Sequence, residues 1–368
     1  MNDSIMKQKI LIISGSMVHR TPHVKMYMNI FDRYGVEYDV VVWNRKDDPI
    51  DGIPSNYILY NHKTDDQYPT FRKIIDNLRF AKFVRKKVNP NKYSVAIVID
   101  IAAAVFFSSF LIKNFKKRFL FDIRDYSPFC RFSITRKLIK LLINSSFKTI
   151  ISSAGFKSWL PMNIDYVISH NIDYDIFCKL ENSEFVPFHK DKVKILMIGN
   201  LRDPEANKKV VDAFANKDNY TLNIVGDGAA GPILRKHQSD IKALNVTFFG
   251  FYQKDQEISF YLDADIVTCC MEDNMLSNYL MSNRIYLAAL THKPIICFAG
   301  SYQSKVIEDY GIGISIDRSA DMFTYTNHYL SHFDRDLYEA NRLKFLYMVK
   351  VEYGVFLNTL KHFCQLSN

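Results

Sequence analysis

The chain has 368 residues, 48% hydrophobic and 24% charged, with a formal net charge of +9 at pH 7. That apolar content excludes wholesale disorder, and the length suits two domains of roughly 150 residues each. The charge is lopsided, with 29 Lys and Arg against 18 Asp and Glu in residues 1–190 and 19 against 21 in residues 191–368, so one domain is expected to face an anionic partner.

The chain opens with an apolar strand at 9–14 and a loop, GSMVHR. Thr21-Pro22 reads as a helix start, Thr as N-cap and Pro at the first helical position, and that helix runs to Gly35. A strand follows at 37–43. Residues 71–88 form a helix with seven basic residues and one acid, Asp76, and with Phe71, Ile74, Ile75, Leu78, Ala81 and Val84 at helical spacing. A strand at 95–99 ends at Asp100, and a helix over 102–112 follows it. This explains the apolar Ser94–Ile112 better than a membrane span, for which it is marginally short. A strand at 118–124 leads into Arg124-Asp125, and 129–148 is a second basic, apolar stretch. The first half closes with a strand at 149–152, a helix bearing Trp159, a strand at 166–168 and a polar linker over 173–192. No signal peptide is visible.

From residue 193 short apolar runs alternate with helix-length stretches. Strands fall at 193–198, 220–225, 246–249, 266–270, 294–298 and 312–316, with helices near 204–216, 231–243, 255–263, 282–290 and 302–309, and a helical tail at 333–364. Such alternation requires a parallel sheet wrapped by helices, with ligands at the carboxyl ends of its strands. The predicted architecture is α/β, two Rossmann-like doubly wound domains facing a cleft. Domain boundaries are expected at 1–172, a linker at 173–192, a second domain at 193–332, and a tail at 333–368 that crosses back to the first domain.

The residues at those strand ends carry the chemistry. Gly226-Asp-Gly228-Ala-Ala-Gly231 is a literal GxGxxG. It follows the second strand of its domain, and the next strand, NVTFFGF, lacks the ribose-binding acid of a dinucleotide site, so it reads as a glycine turn at a ligand or as a plain structural turn. Gly199 ends the first strand of this half. Arg202 and Lys208 lie where cations meet a diphosphate, and Ser282-Asn283 opens a helix whose N–H groups suit the same anion. In the first half, Asp100, Asp125 and His19 are the candidates to orient or deprotonate an acceptor hydroxyl. Arg20, His23 and Arg124 lie beside them. For each single residue a salt bridge or cap is the competing reading. The basic helix with Arg85, Lys86 and Lys87 is either an ordinary solvated face or a surface for an anionic membrane. No nucleic-acid motif is present. The six cysteines show no metal or CxxC spacing and read as free thiols in a reducing compartment.

In order and spacing these segments resemble bacterial GT-B glycosyltransferases of the capsule and lipopolysaccharide type, over nearly the whole chain. VKILMIGNL, LNIVGDG, VTFFGFY, ADIVTCC, SNRIYLAALTHKPII and SHNID each match a family segment. The resemblance implies a metal-independent, retaining enzyme with no cofactor. Its second domain would take a UDP- or GDP-sugar and its first a lipid-linked oligosaccharide acceptor. The enzyme would sit on the cytoplasmic face of the cell membrane as a peripheral protein. It places Arg202 and Lys208 on the donor diphosphate, Phe251 near the base, and the Asn283 helix start, followed by Arg284, at the diphosphate and sugar. Departures are specific. The family's paired glutamates fall on Tyr279 and Leu287, Asn200 replaces the usual Arg, and Arg284 replaces Lys. Glu272, Asp273, Asn274 and Asn278 are the candidates to supply the missing contacts. The competing readings are a catalytically degenerate partner subunit and a sugar-nucleotide epimerase.

Overall fold

A computed structural model describes residues 9–65, 68–189 and 191–365. The chain divides into two compact units. One holds the described residues up to His170 and those from Glu352 on, and the other is Asn171–Val351.

In the first unit the strands are β1 (Lys9–Ile13), β2 (Glu37–Asn44), β3 (Tyr57–Asn61), β4 (Val95–Ile99), β5 (Phe119–Ile123), β6 (Lys148–Ile151) and β7 (Val167–Ile168). All pair in parallel, in the order β3-β2-β1-β4-β5-β6-β7. The helices are α1 (Pro22–Arg33), α2 (Thr70–Lys87), α3 (Ile101–Phe106), α4 (Ser108–Phe115) and α5 (Ser133–Ser145). Every residue of β4 and β5 is buried, as a parallel strand covered on both faces requires. One face of the sheet packs Val24, Tyr27 and Phe31 of α1 with Phe356, Leu360 and Phe363, at the far end of the chain.

The second unit begins with α6 (Tyr174–Leu180) and continues as β8 (Val193–Ile198), α7 (Pro204–Phe214), β9 (Tyr220–Val225), α8 (Gly231–Asp240), β10 (Val246–Gly250), α9 (Glu257–Asp263), β11 (Ile266–Thr268), α10 (Asn283–Leu290), β12 (Ile295–Phe298), α11 (Tyr302–Tyr310), β13 (Gly313–Ile316), α12 (Met322–Ser331) and α13 (Arg335–Phe363), whose last turns belong to the first unit. Its sheet is again parallel, in the order β10-β9-β8-β11-β12-β13. In both sheets the chain reverses direction beside its first strand, between β1 and β4 and between β8 and β11. Helices leave opposite faces there, and the strand ends form a crevice.

Several expectations are corrected. Thr21 takes the N-cap position of α1 with Pro22 first in the helix, but its hydroxyl donates to Met17 O at 2.7 Å and makes no cap hydrogen bond. The helix expected at 102–112 is two helices joined at the buried Phe107. Trp159 follows a short 3-10 turn, Ala154–Ser158, not a helix. The polar 173–192 segment contains α6. In α2 the buried face is Asp76, Asn77, Phe80, Ala81 and Val84, and Phe71, Ile75 and Leu78 are exposed. Asp76 is drawn inward by Thr64, whose hydroxyl donates to it at 2.8 Å, and this turns the helix away from the apolar stripe read from the sequence. No helix among the described residues is long and apolar enough to cross a membrane. All six cysteines are free, and all but Cys178 are buried.

Candidate functional site

Asp100 follows the last residue of β4, at the reversal point of the first sheet. Its backbone has φ 73°, ψ 147°, a conformation that favours glycine and costs an ordinary residue about 1–3 kcal/mol. The backbone is held there by a hydrogen bond from Asp100 N to Asp122 O at 2.8 Å. The half-buried carboxyl itself has no hydrogen-bond partner among the described residues. Burial, aided by Asp125 and Asp122 and opposed by Arg124 and Arg45, pushes it up to about 7. Strain and a proton held near neutrality at a strand end are marks of a functional carboxyl.

Beside it, Arg124 is almost fully buried and committed to the fold. Its guanidinium donates to Asp122 Oδ2 at 2.6 Å, Ser169 O at 2.9 Å and Ser169 Oγ at 3.1 Å. Tyr27 donates to the same Asp122 carboxylate at 2.8 Å. Arg124 therefore has both terminal nitrogens engaged by the fold, and its Nε is buried with no partner among the described residues. His23 lies near it. Burial first, and Arg124 second, lower its imidazole to about 3, so His23 is neutral at physiological pH and not a cation. His19 and Arg20 are taken by Asp48, which accepts from Arg20 Nε at 2.8 Å and from Arg20 Nη2, with His19 Nε2 at 3.1 Å. These pairs latch the loop after β1 to the loop after β2. Asp125 lies close enough to Asp100 to raise its pKa, so Asp100, Asp125 and Arg124 are brought together while His19 and Arg20 join a different set of partners.

In the second unit the glycines of the GxGxxG serve close packing. A Cβ on Gly226 would lie 2.0 Å from Gly199 O, and one on Gly228 would lie 2.6 Å from both Asn200 Oδ1 and Leu201 O. Gly199 N donates to Val225 O and Gly226 N to Gly250 O, at 2.9 and 2.7 Å. The ends of β8, β9 and β10 are thus locked together by their backbones.

Cations gather above this edge. Arg284, in the first turn of α10, reaches over Gly199; its Nε is 4.0 Å from a Cβ placed there. Arg284 has no hydrogen-bond or carboxylate partner among the described residues, and neither does the half-buried Lys208 of α7. Arg202, after β8, approaches Met271 Sδ at 4.0 Å and Asp203 at 3.6 Å, contacts too long to engage its donors. Ser282 caps α10, accepting from Arg284 N at 3.4 Å. Asn283 Oδ1 and Ser277 Oγ are buried without a partner among the described residues. Arg318, after β13, was not foreseen; it donates to Met271 O at 2.7 Å, with its guanidinium 4.8 Å from the Phe298 ring centre. Its signal in the sequence was only an arginine just past a strand end. Burial raises the Cys270 thiol strongly, and Cys269 adds to this, while Arg284 and Arg318 both oppose it. Both guanidinium groups therefore lie near the end of β11.

The other expected contacts are partly used internally. Asn274 Oδ1 accepts from Leu276 N and Ser277 N, and Asn278 Nδ2 donates to Asp273 at 2.6 Å. Leu287 is 1% exposed in the core of the unit. Of the four polar candidates for its missing role, Glu272 is the one with no protein partner among the described residues. Phe251, just past β10, is 77% exposed, a side chain left in water that a flat ring would cover.

No family model matches the chain, and no curated protein matches it. Solved structures do. Sucrose-phosphate synthase from Thermosynechococcus elongatus is 13% identical, with a TM-score of 0.65 over 96% of this chain and 99% of that one. The apo form of the lipopolysaccharide outer core galactosyltransferase WaaB is 13% identical, with a TM-score of 0.64 over 96% and 99%. Anabaena Alr3699/HepE in complex with UDP-glucose is 14% identical, with a TM-score of 0.63 over 96% and 99%. Likeness at these identities establishes the fold, which is GT-B.

Proposed function

We propose that the chain is a glycosyltransferase. Its second unit binds a nucleoside-diphosphate sugar, UDP- or GDP-linked, and its first unit presents the hydroxyl of a lipid-linked glycan during surface polysaccharide synthesis. One observation carries the reading: Arg284, in the first turn of α10, reaches over Gly199 at the end of β8 with no side-chain partner among the described residues, and Arg202 follows the same strand. A diphosphate would fill those donors, and the same cations would offset its charge as it leaves. Asp100 is the residue that receives the acceptor hydroxyl. HepE, of the same fold, has been captured with UDP-glucose, which supports the donor class.

Titration of UDP and GDP against the wild type and Arg284→Ala tests the donor site. Loss of a charge-assisted fork is expected to weaken nucleotide binding by about 10- to 100-fold. Binding that Arg284→Ala leaves unchanged sinks this assignment of the diphosphate. The buried Leu287 favours a second reading, a partner subunit that has lost its nucleotide. It is the right one if neither nucleotide shifts the melting temperature.

The same reading places the protein on the inner membrane face through α2. Phe71 is 66%, Ile75 43% and Leu78 50% exposed, beside the exposed Arg72, Lys82, Lys86 and Lys87. Exposed apolar side chains ringed by lysine and arginine suit an anionic bilayer surface. Arg85 is spoken for, since its Nη2 donates to Phe106 O and Ser109 Oγ at 3.1 and 3.2 Å and so ties α2 to its neighbours. The clean variant is therefore Phe71→Ser with Ile75→Ser and Leu78→Ser. It is expected to lower binding to phosphatidylserine vesicles at least about 10-fold while leaving the melting temperature in place. Equal sedimentation with vesicles excludes this face.

A further inference from the structure

From the order of groups along the second sheet's edge we infer that the donor sugar is acidic, a hexuronate read by Arg318. The inference rests on the donor reading above. Across the carboxyl edge the strands run β10-β9-β8-β11-β12-β13, spaced about 4.8 Å apart. Phe251 stands past β10, Arg284 over Gly199 at β8, and Arg202 and Arg318 both reach Met271, past β11. A nucleotide sugar laid with its base at Phe251 and its diphosphate at Gly199 carries its sugar onward, toward β11 and β12. There Arg318 reaches back from β13, across the Phe298 ring, to Met271 O.

Arg318 is built for more than the backbone it touches. One donor of its fork is used on Met271 O, and the rest have no acceptor among the described residues. The guanidinium rests over the Phe298 ring, a cation–π contact that helps hold it in place. Lys209, which donates to Arg318 O at 2.8 Å, adds positive charge at the same corner. No carboxylate of the described residues pairs with Arg318. The diphosphate already has Arg202, Lys208, Arg284 and the start of α10. A further guanidinium, held against Phe298 and Met271 past the Arg284 that covers Gly199, is redundant for two phosphates and complementary to a third anion on the ring. A C6 carboxylate matches its planar fork in two parallel hydrogen bonds, which a hydroxymethyl group cannot do.

The test is direct binding, by calorimetry, of UDP-glucuronate against UDP-glucose and of GDP-mannuronate against GDP-mannose, with UDP and GDP alone as references. The wild type is expected to hold one hexuronate donor about 10- to 100-fold more tightly than its neutral counterpart. Arg318→Gln is expected to bring that ratio close to one, and Arg318→Lys to keep part of it. Preference for the neutral sugar, or a ratio near one in the wild type, overturns the inference whether or not the variants fold. If UDP and GDP themselves fail to bind, the donor reading falls and this inference with it; if they bind without any acid preference, only the inference falls.

Discussion

Asp100→Asn is expected to lower the rate of sugar transfer by about 10²- to 10⁴-fold while leaving nucleotide binding intact, the range for removing a positioned proton acceptor. The carboxyl and the amide have the same shape, and Asn tolerates positive φ better than most residues. In the wild type the rate should rise with pH up to about 7, where Asp100 ionises, and the variant's residual rate should lose that limb. A variant within about threefold of the wild type would remove Asp100 from the reaction. The anomeric form of the product adds a second reading. A base on the acceptor side assists displacement with inversion, whereas the retention implied by the family resemblance sends the proton toward the leaving diphosphate and makes Asp100 an orienting group.

The same variant should be more stable. A carboxyl held up near 7 in the native protein, against 3.8 in the unfolded chain, keeps its proton when the unfolded form has lost its own. Native stability then falls as pH rises from about 4 to about 7 and levels off above. Asparagine has no such cost. The variant should match the wild type in stability near pH 4 and exceed it at pH 8 by on the order of 4 kcal/mol. Greater stability with lost activity would show that the site is held at the expense of the fold.

Gly226→Ala is the second large effect. The new methyl would meet Gly199 O at 2.0 Å and Gly199 C at 3.0 Å, both backbone atoms, and Gly226 has φ 118°. Gly226 N is tied to Gly250 O at 2.7 Å, so the turn cannot retreat without pulling on β10. A loss of at least about 3 kcal/mol is expected, or roughly 6–12 °C in the melting temperature of a unit this size. Gly15→Ala is the control. Gly15 has no heavy atom within 4 Å of its would-be Cβ, and its substitution should change stability by no more than about 0.5 kcal/mol. Scanning calorimetry decides, and a drop under about 2 °C for Gly226→Ala would mean that the edge has slack.

The buried strands were legible because a strand covered on both faces is an unbroken apolar run. Val95–Ile99 and Ile295–Phe298 needed no other signal. β3 was missed for the same reason inverted. It is an edge strand with no fully buried residue, and its apolar run, Tyr57–Tyr60, is short and half tyrosine. α12 was missed because only Met322 and Thr326 are buried in it. The sites were legible as strand ends, which topology dictates, and not as partners, which it does not. Nothing in the spacing of His19, Arg20 and Asp48 announces their ion pairs, and Arg124 looks equally free or bound until Asp122 and Ser169 are in place. Arg318 acquires meaning only through a strand order that sets it within reach of Met271.

The last turns of α13 have a consequence for synthesis. Phe356, Leu360, Phe363 and Cys364 complete a core whose other buried members, from Ile10 to Val167, emerge first. At about 5–20 residues per second, the roughly 190 residues between them take on the order of 10–40 s to be made. For that interval the nascent first unit has an uncovered apolar face beside Tyr27 and Phe31, open to chaperones or to premature aggregation. A ribosome stalled late in the gene should hold a first half that protease still cuts, and release of the final turns should close it.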